Sequence, residues 1–205
     1  MKKWSIFCLL FAAAFPSLGW GAERSYGSFE VLGKPWFIVS MSEAAQSDDV
    51  NPGFRFEFKV TEDQISPRRF RTLWLDALTS SGADVNLHAH SADLNLFFDA
   101  IRGELLKGDH LALEFQGDST IMTINHYEHA RMDGQFMALF IDSLTDRIAP
   151  IPALRDGLLN QISSNQRRQL EKDFMSQDVS LARVTKTARW LRYGVEGQGE
   201  QLSLL

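Results

Sequence analysis

The chain has 205 residues, 44% of them hydrophobic and 23% charged, a formal net charge of −5 and a single cysteine. That length suffices for one adequately buried core without disulfides. The mild acidity argues against nucleic acid as a partner.

Lys2-Lys3, an apolar run from Trp4 to Leu18 and small residues at Gly19, Gly21 and Ala22 have the three-part layout of a secretory signal peptide. Cleavage after Gly21 leaves glycine at both small-residue positions, whereas cleavage after Ala22 puts Trp20 where a small residue is preferred. The apolar run is shorter than the ~20 residues a membrane span needs. The expectation is a leader over residues 1–21 and a periplasmic or secreted mature chain, whose charge falls to −7 once Lys2 and Lys3 are removed. Cys8 lies within the leader without a lipobox, so the mature chain has no thiol, disulfide or sulfur-linked lipid. No later segment has the length and apolarity of a transmembrane span.

Tyr26 to Leu32 and Trp36 to Met41 read as two strands around a turn at Gly33-Lys34-Pro35, followed by a polar loop from Ser42 to Gly53. Phe54, Phe56, Phe58 and Val60 alternate with Arg55, Glu57 and Lys59, which predicts a strand with one buried and one wet face. Ser66-Pro67 then supplies an N-cap and a first-turn proline for a helix with Phe70, Leu73, Trp74, Ala77 and Leu78 on one face, closed at Ser80-Ser81-Gly82. A second helix follows Ser91, with Leu94, Phe97, Phe98 and Ile101 on its stripe. Gly108-Asp109 opens a strand over Leu111 to Phe115, and a partner strand over Thr120 to Ile124 ends in a turn at Asn125-His126. Gly134 opens a helix bearing Phe136, Leu139, Phe140 and Leu144, and a Pro-bounded segment ends in Leu154-Arg155-Asp156-Gly157-Leu158-Leu159. This order predicts an α+β domain over residues 22–162, with an antiparallel sheet covered by helices on one face.

Residues 163–205 form a C-terminal helical extension with seven Lys or Arg and five Asp or Glu. Leu181, Val184, Ala188 and Leu191 make a narrow apolar stripe there, which predicts a helix docked on the domain with its charges in water. The alternative is a basic amphipathic helix that presents Arg183, Lys186, Arg189 and Arg192 to a protein partner or a membrane surface.

In their order and spacing, several of these motifs resemble the bacterial exported branch of the chalcone isomerase-like family over residues 25–162. They are Gly108-Asp109 before a strand, the hairpin turning at Asn125, Asp133-Gly134-x-Phe136 at a helix start, and the Leu154 to Leu159 ending. The Ser-Pro-started helix with Arg68, Arg71 and Trp74 also fits. The resemblance implies a long antiparallel sheet, helices on one side and a cleft between them. It also implies where the plant enzymes of the family keep their catalytic groups: an arginine and a threonine on early strands, a tyrosine and an asparagine on the first helix, and a hydroxyl on a later helix. Matched through Phe29 to Lys34, those positions fall at Gly27, Val39, Phe70, Ala77 and Phe136, all glycine or apolar. Ring closure by a phenolate needs a cation and hydrogen-bond donors at the developing enolate, and these residues supply none. Arg24, Ser40 and Asp76 are the nearest polar substitutes, and they carry a weaker alternative, an isomerase or lyase acting on another substrate.

Other chemistry is sparse. His88-x-His90 and His126-x-x-His129 lack a third ligand at a familiar spacing and read as surface histidines, and His110 stands alone at a strand start. No Gly-x-Ser-x-Gly or phosphate-cradling glycine loop occurs, and Asp48-Asp49 and Glu62-Asp63 read as solvated loop charge. The sequence therefore predicts neither a catalytic residue set, nor a metal site, nor a cofactor. The leading expectation is a non-catalytic exported protein that binds a small apolar ligand, such as a fatty acid, in the sheet–helix cleft. Val39, Phe70, Trp74 and Phe136 would line it. The fatty-acid-binding members of the family are the precedent that the resemblance supplies.

Overall fold

The computed structural model describes residues 24–43, 54–79 and 89–191. The expected leader, the 44–53 loop, the helix closure after Thr79, His88 and Arg192 lie outside these residues.

In chain order the strands are β1 (Ser25–Val31), β2 (Lys34–Glu43), β3 (Phe54–Val60), β4 (Gln64–Ile65), β5 (Leu105–Leu106), β6 (His110–Gln116), β7 (Ser119–Ile124) and β8 (Tyr127–Asp133). Six of them form one sheet in the order β1-β2-β3-β6-β7-β8, antiparallel at every pairing, while β4 and β5 pair separately. The helices are α1 (Pro67–Thr79), α2 (Ser91–Asp99), α3 (Gln135–Thr145), α4 (Pro152–Leu158), α5 (Ser164–Met175) and α6 (Leu181–Ala188), with a 3₁₀ turn at Arg189–Leu191. The α+β class and the antiparallel sheet are as expected.

Local chemistry accounts for the ends of these elements. Ser66 Oγ accepts from Arg69 N at 3.2 Å and so caps α1. Two tight hairpins place both central residues at positive φ, Leu32 (54°) with Gly33 (74°) and Asn125 (48°) with His126 (76°), the turn whose twist matches paired strands. Phe29, Phe37, Val39, Phe56, Phe58, Leu111, Leu113 and Met122 point from the sheet into one apolar cluster, which also receives Phe70, Trp74, Phe97, Phe136, Phe140 and Leu154 from α1 to α4.

The opposite face departs from expectation. β3 was expected to have a wet side, yet Glu57 and Lys59 are only 5% and 8% exposed. The reason is α5, which lies over β1 and β2 and packs Phe174 and Leu170 against Tyr26 and Ile38. It starts in a capping box between Ser163 and Gln166. Helices thus cover most of one face, and the C-terminal extension covers part of the other.

α6 also docks differently from its apolar stripe. Leu181, placed on the buried stripe by its spacing, is 80% exposed, and the buried residues are Thr187 and the following Trp190. The anchor is Arg183. Its guanidinium donates from Nε at 2.8 Å and Nη2 at 2.5 Å to the fully buried Asp109 carboxylate, and Nη2 also reaches Glu104 O at 2.6 Å. Asp109 further accepts from Leu106 N and Asn125 Nδ2, and Asn125 Nδ2 also donates to Thr187. Arg183 therefore does not belong to a free basic face: a buried carboxylate holds it inside the molecule. Lys186 and Arg189 remain exposed.

Candidate ligand pocket and buried ionic network

The four residues expected to line a cleft lie at the centre of the core. Val39, Phe70, Trp74 and Phe136 are all buried. Trp74 sits 4.6 Å from Phe29, 4.9 Å from Phe58, 5.5 Å from Phe140 and 6.2 Å from Phe70, measured between ring centroids. Phe136 packs on Phe97 at 6.0 Å and Phe140 at 5.2 Å. Rings at these separations interleave, and among the described residues they pack the sheet against α1, α2 and α3 at this point.

A cavity of about 460 Å³ lies beside this cluster, at the end of the sheet where β3 begins and β6 ends. The β3–β6 register pairs Arg55 with Glu114 and so brings Phe54 beside Phe115. These rings form one wall, and Gly134, Met137, Ala138, Ile141 and Asp142 at the start and along one side of α3 form the other. Gly134 permits the close approach: a Cβ there would meet Asp118 O at 2.7 Å and Phe115 Cε2 at 2.8 Å. Met137 belongs to the core, and Phe54 and Ile141 pack against its margin, so the cavity opens off the core. None of the four expected residues lines it. Among the described residues, Asp142 is the only charged one on the lining. It is exposed, and its carboxylate makes no hydrogen bond or ion pair among the described residues.

Across the sheet, Glu57 gathers two of the three polar substitutes. Its Oε2 lies 3.0 Å from Arg24 Nη2 and accepts from Ser40 Oγ at 3.3 Å, and its Oε1 lies 3.0 Å from His110 Nε2 and 3.4 Å from Arg55 Nε. Asp76 is elsewhere, on the exposed side of α1. Burial alone would raise the Glu57 pKa, but the His110 hydrogen bond and the charges of Arg24 and Arg55 outweigh it and hold the carboxyl at about 2. So acidic a carboxyl is a weak general base at neutral pH. Arg55 also pairs with Glu114 at 2.5 Å, and Lys59 Nζ donates to Gln177 O beyond the end of α5. The network ties three strands to the C-terminal extension. His110, isolated in the sequence, is thus a partner of Glu57, and only the sheet register brings the two together.

Among the described residues no cluster of His, Cys, Asp and Glu has the composition of a metal site. His90 pairs with Asp93, and His126 sits in the β7–β8 turn. His129 differs from the surface histidine that was expected: it packs edge-on to Trp190, its Nε2 is buried without a partner, and burial followed by the nearby Arg102 charge lowers its pKa to about 4. The native state therefore resists protonation that the unfolded chain accepts near 6.5. Its contribution to stability is complete above about pH 6.5 and is lost as the pH falls toward 4. Urea unfolding should show a loss on the order of 2 kcal/mol across that window, and His129→Gln should flatten the slope there. An unchanged slope in the variant would exclude His129 as its source. Glu57 adds a further loss only below about pH 4.5, as the pH approaches 2.

No protein-family model matches the sequence, and no curated protein does. Solved structures do match the fold. The crystal structure of the Arabidopsis thaliana fatty-acid binding protein AtFAP1 superposes with a TM-score of 0.52 at 6% identity, over 74% of this chain and 88% of that one. The fold is chalcone isomerase-like. At this identity the likeness is one of fold alone. Within the chalcone isomerase-like sheet, Gly27 occupies the position that the resemblance matched to the enzymes' arginine, and α4 lies directly on it. A Cβ at Gly27 would run into the Leu154 carbonyl and lie 3.0 Å from Leu154 Cδ1. No helix among the described residues is long and apolar enough to cross a membrane.

Proposed function

We propose that this protein is an exported, non-catalytic carrier or sensor of a small apolar ligand, which it holds in the cavity between the Phe54–Phe115 wall and α3. The observation that carries this reading is the cavity itself. Its volume of about 460 Å³ falls within the usual span of small-molecule sites, and six of the seven described residues that line it are apolar or glycine. The chalcone isomerase-like fold adds support by analogy, since AtFAP1 is a fatty-acid binding protein. Export rests on the leader layout of residues 1–21. Val39, Phe70, Trp74 and Phe136 act in this reading as the packed wall behind the ligand, and they keep water from its apolar end.

Ala138 lines the cavity from the exposed side of α3, so a large side chain there fills the cavity without entering the core. Calorimetric titration with 1-decanol should show saturable binding to the wild-type protein. Ala138→Trp should weaken it at least about tenfold, equivalent to 1.4 kcal/mol, while leaving the melting temperature nearly unchanged. Absence of binding to the wild type, or equal binding by the variant, would overturn the assignment.

A further inference from the structure

We infer that the cavity favours amphiphiles whose polar end donates a hydrogen bond, an alcohol or an amine, over those ending in a carboxylate; this rests on the ligand-binding reading above. Asp142 is the one charged residue among the described lining residues, four positions after Ala138 and therefore on the same side of α3. Its carboxylate only accepts hydrogen bonds, and no described residue supplies a donor to it. An apolar chain seated against Phe115, Met137 and Ile141 leaves its polar end at the open rim, beside that free acceptor. A hydroxyl or ammonium there gains a partner. A carboxylate meets a like charge and brings no donor to it.

Two arginines near this end of the sheet are committed elsewhere. Among the described residues, no Lys or Arg lines the cavity. Arg55, next to the lining residue Phe54, points to the opposite face of the sheet and is paired with Glu57 and Glu114. Arg131 at the neighbouring sheet edge is paired with Glu128. The inferred preference thus differs from the fatty acid of the fold neighbour, with which this chain shares 6% identity.

Three ten-carbon ligands, decanol, decylamine and decanoate, separate head group from chain. At pH 7 and low salt, decanol and decylamine should each bind the wild-type protein at least about fivefold more tightly than decanoate, the scale of a like-charge contact at a partly exposed rim. Asp142→Asn, at an exposed position, should bring decanoate to within about twofold of decanol and weaken decylamine. Decanoate binding as tightly as decanol to the wild type, or the same ratio in Asp142→Asn, would overturn the inference while leaving ligand binding intact. Binding of none of the three would remove the ligand-binding reading, and this inference with it.

Discussion

Arg183→Ala should lower the free energy of unfolding by about 3 to 5 kcal/mol, the largest loss expected of any single side-chain truncation outside the aromatic core. Asp109 is fully buried, and the Arg183 side chain is only 10% exposed. Removing the guanidinium leaves a buried carboxylate with Leu106 N and Asn125 Nδ2 as its remaining donors, which satisfy hydrogen bonding without supplying charge. The anchor also positions Thr187 against Asn125 and stacks the guanidinium over Trp190, 5.5 Å from the ring centroid. Urea unfolding measures the loss, and amide exchange should show α6 deprotected first. Arg183→Lys should recover less than half, because an ammonium cannot reproduce the paired Nε and Nη2 contacts. A loss below 1 kcal/mol in Arg183→Ala would mean that α6 is held by something other than this pair.

Gly27→Ala should cost roughly 3 kcal/mol, at the upper end of overpacking effects, because the obstruction is main chain rather than a movable side chain. β1 and α4 meet through two glycines. A Cβ on Gly27 collides with the Leu154 carbonyl, and a Cβ on Gly157 collides with Gly27 Cα and the Tyr26 carbonyl. A methyl at either place pushes the helix off the strand and pulls Leu154 and Leu158, both buried, away from the core. Thermal and urea unfolding should show similar losses for Gly27→Ala and Gly157→Ala. The double variant should cost less than the sum, since one displacement of α4 relieves both. Gly27→Arg should be at least as destabilising and should not create a cationic cleft. Near-wild-type stability for either alanine variant would show that the β1–α4 contact is looser than described.

The sequence made some elements plain and hid others for identifiable reasons. β3, α1 and α3 announce themselves because Phe56, Phe58 and Val60, or Phe70, Leu73, Trp74 and Ala77, repeat at the period of their element against a single core. The docking of α6 is invisible to that reading, since its buried contacts run through Arg183 and Thr187 while the apolar Leu181 faces solvent. α5 buries little beyond Phe174, and the Ser163–Gln166 capping pair is the clearest sign of where it starts. Apolarity correctly placed Val39, Phe70, Trp74 and Phe136 on inward faces. It does not distinguish a cavity wall from a filled core, because the same side chains serve both. The cavity depends instead on where Phe54 and Phe115 come level in the sheet, and on Gly134 letting α3 settle against Phe115. Glu57 and His110 are likewise joined by register, 53 residues apart in the chain.

The central claim is that an apolar ligand sits against α3 at the end of the sheet, outside the aromatic cluster. Photolabelling with a ten-carbon alcohol that carries a diazirine at its alkyl end, followed by peptide mapping, tests it most directly. Insertion should fall on Phe115, Met137 and Ile141, should be competed by decanol, and should disappear in Ala138→Trp. Competed labelling of Val39, Phe70, Trp74 or Phe136 instead would mean that the ligand opens the packed core, and would contradict the assignment of the cavity as the site.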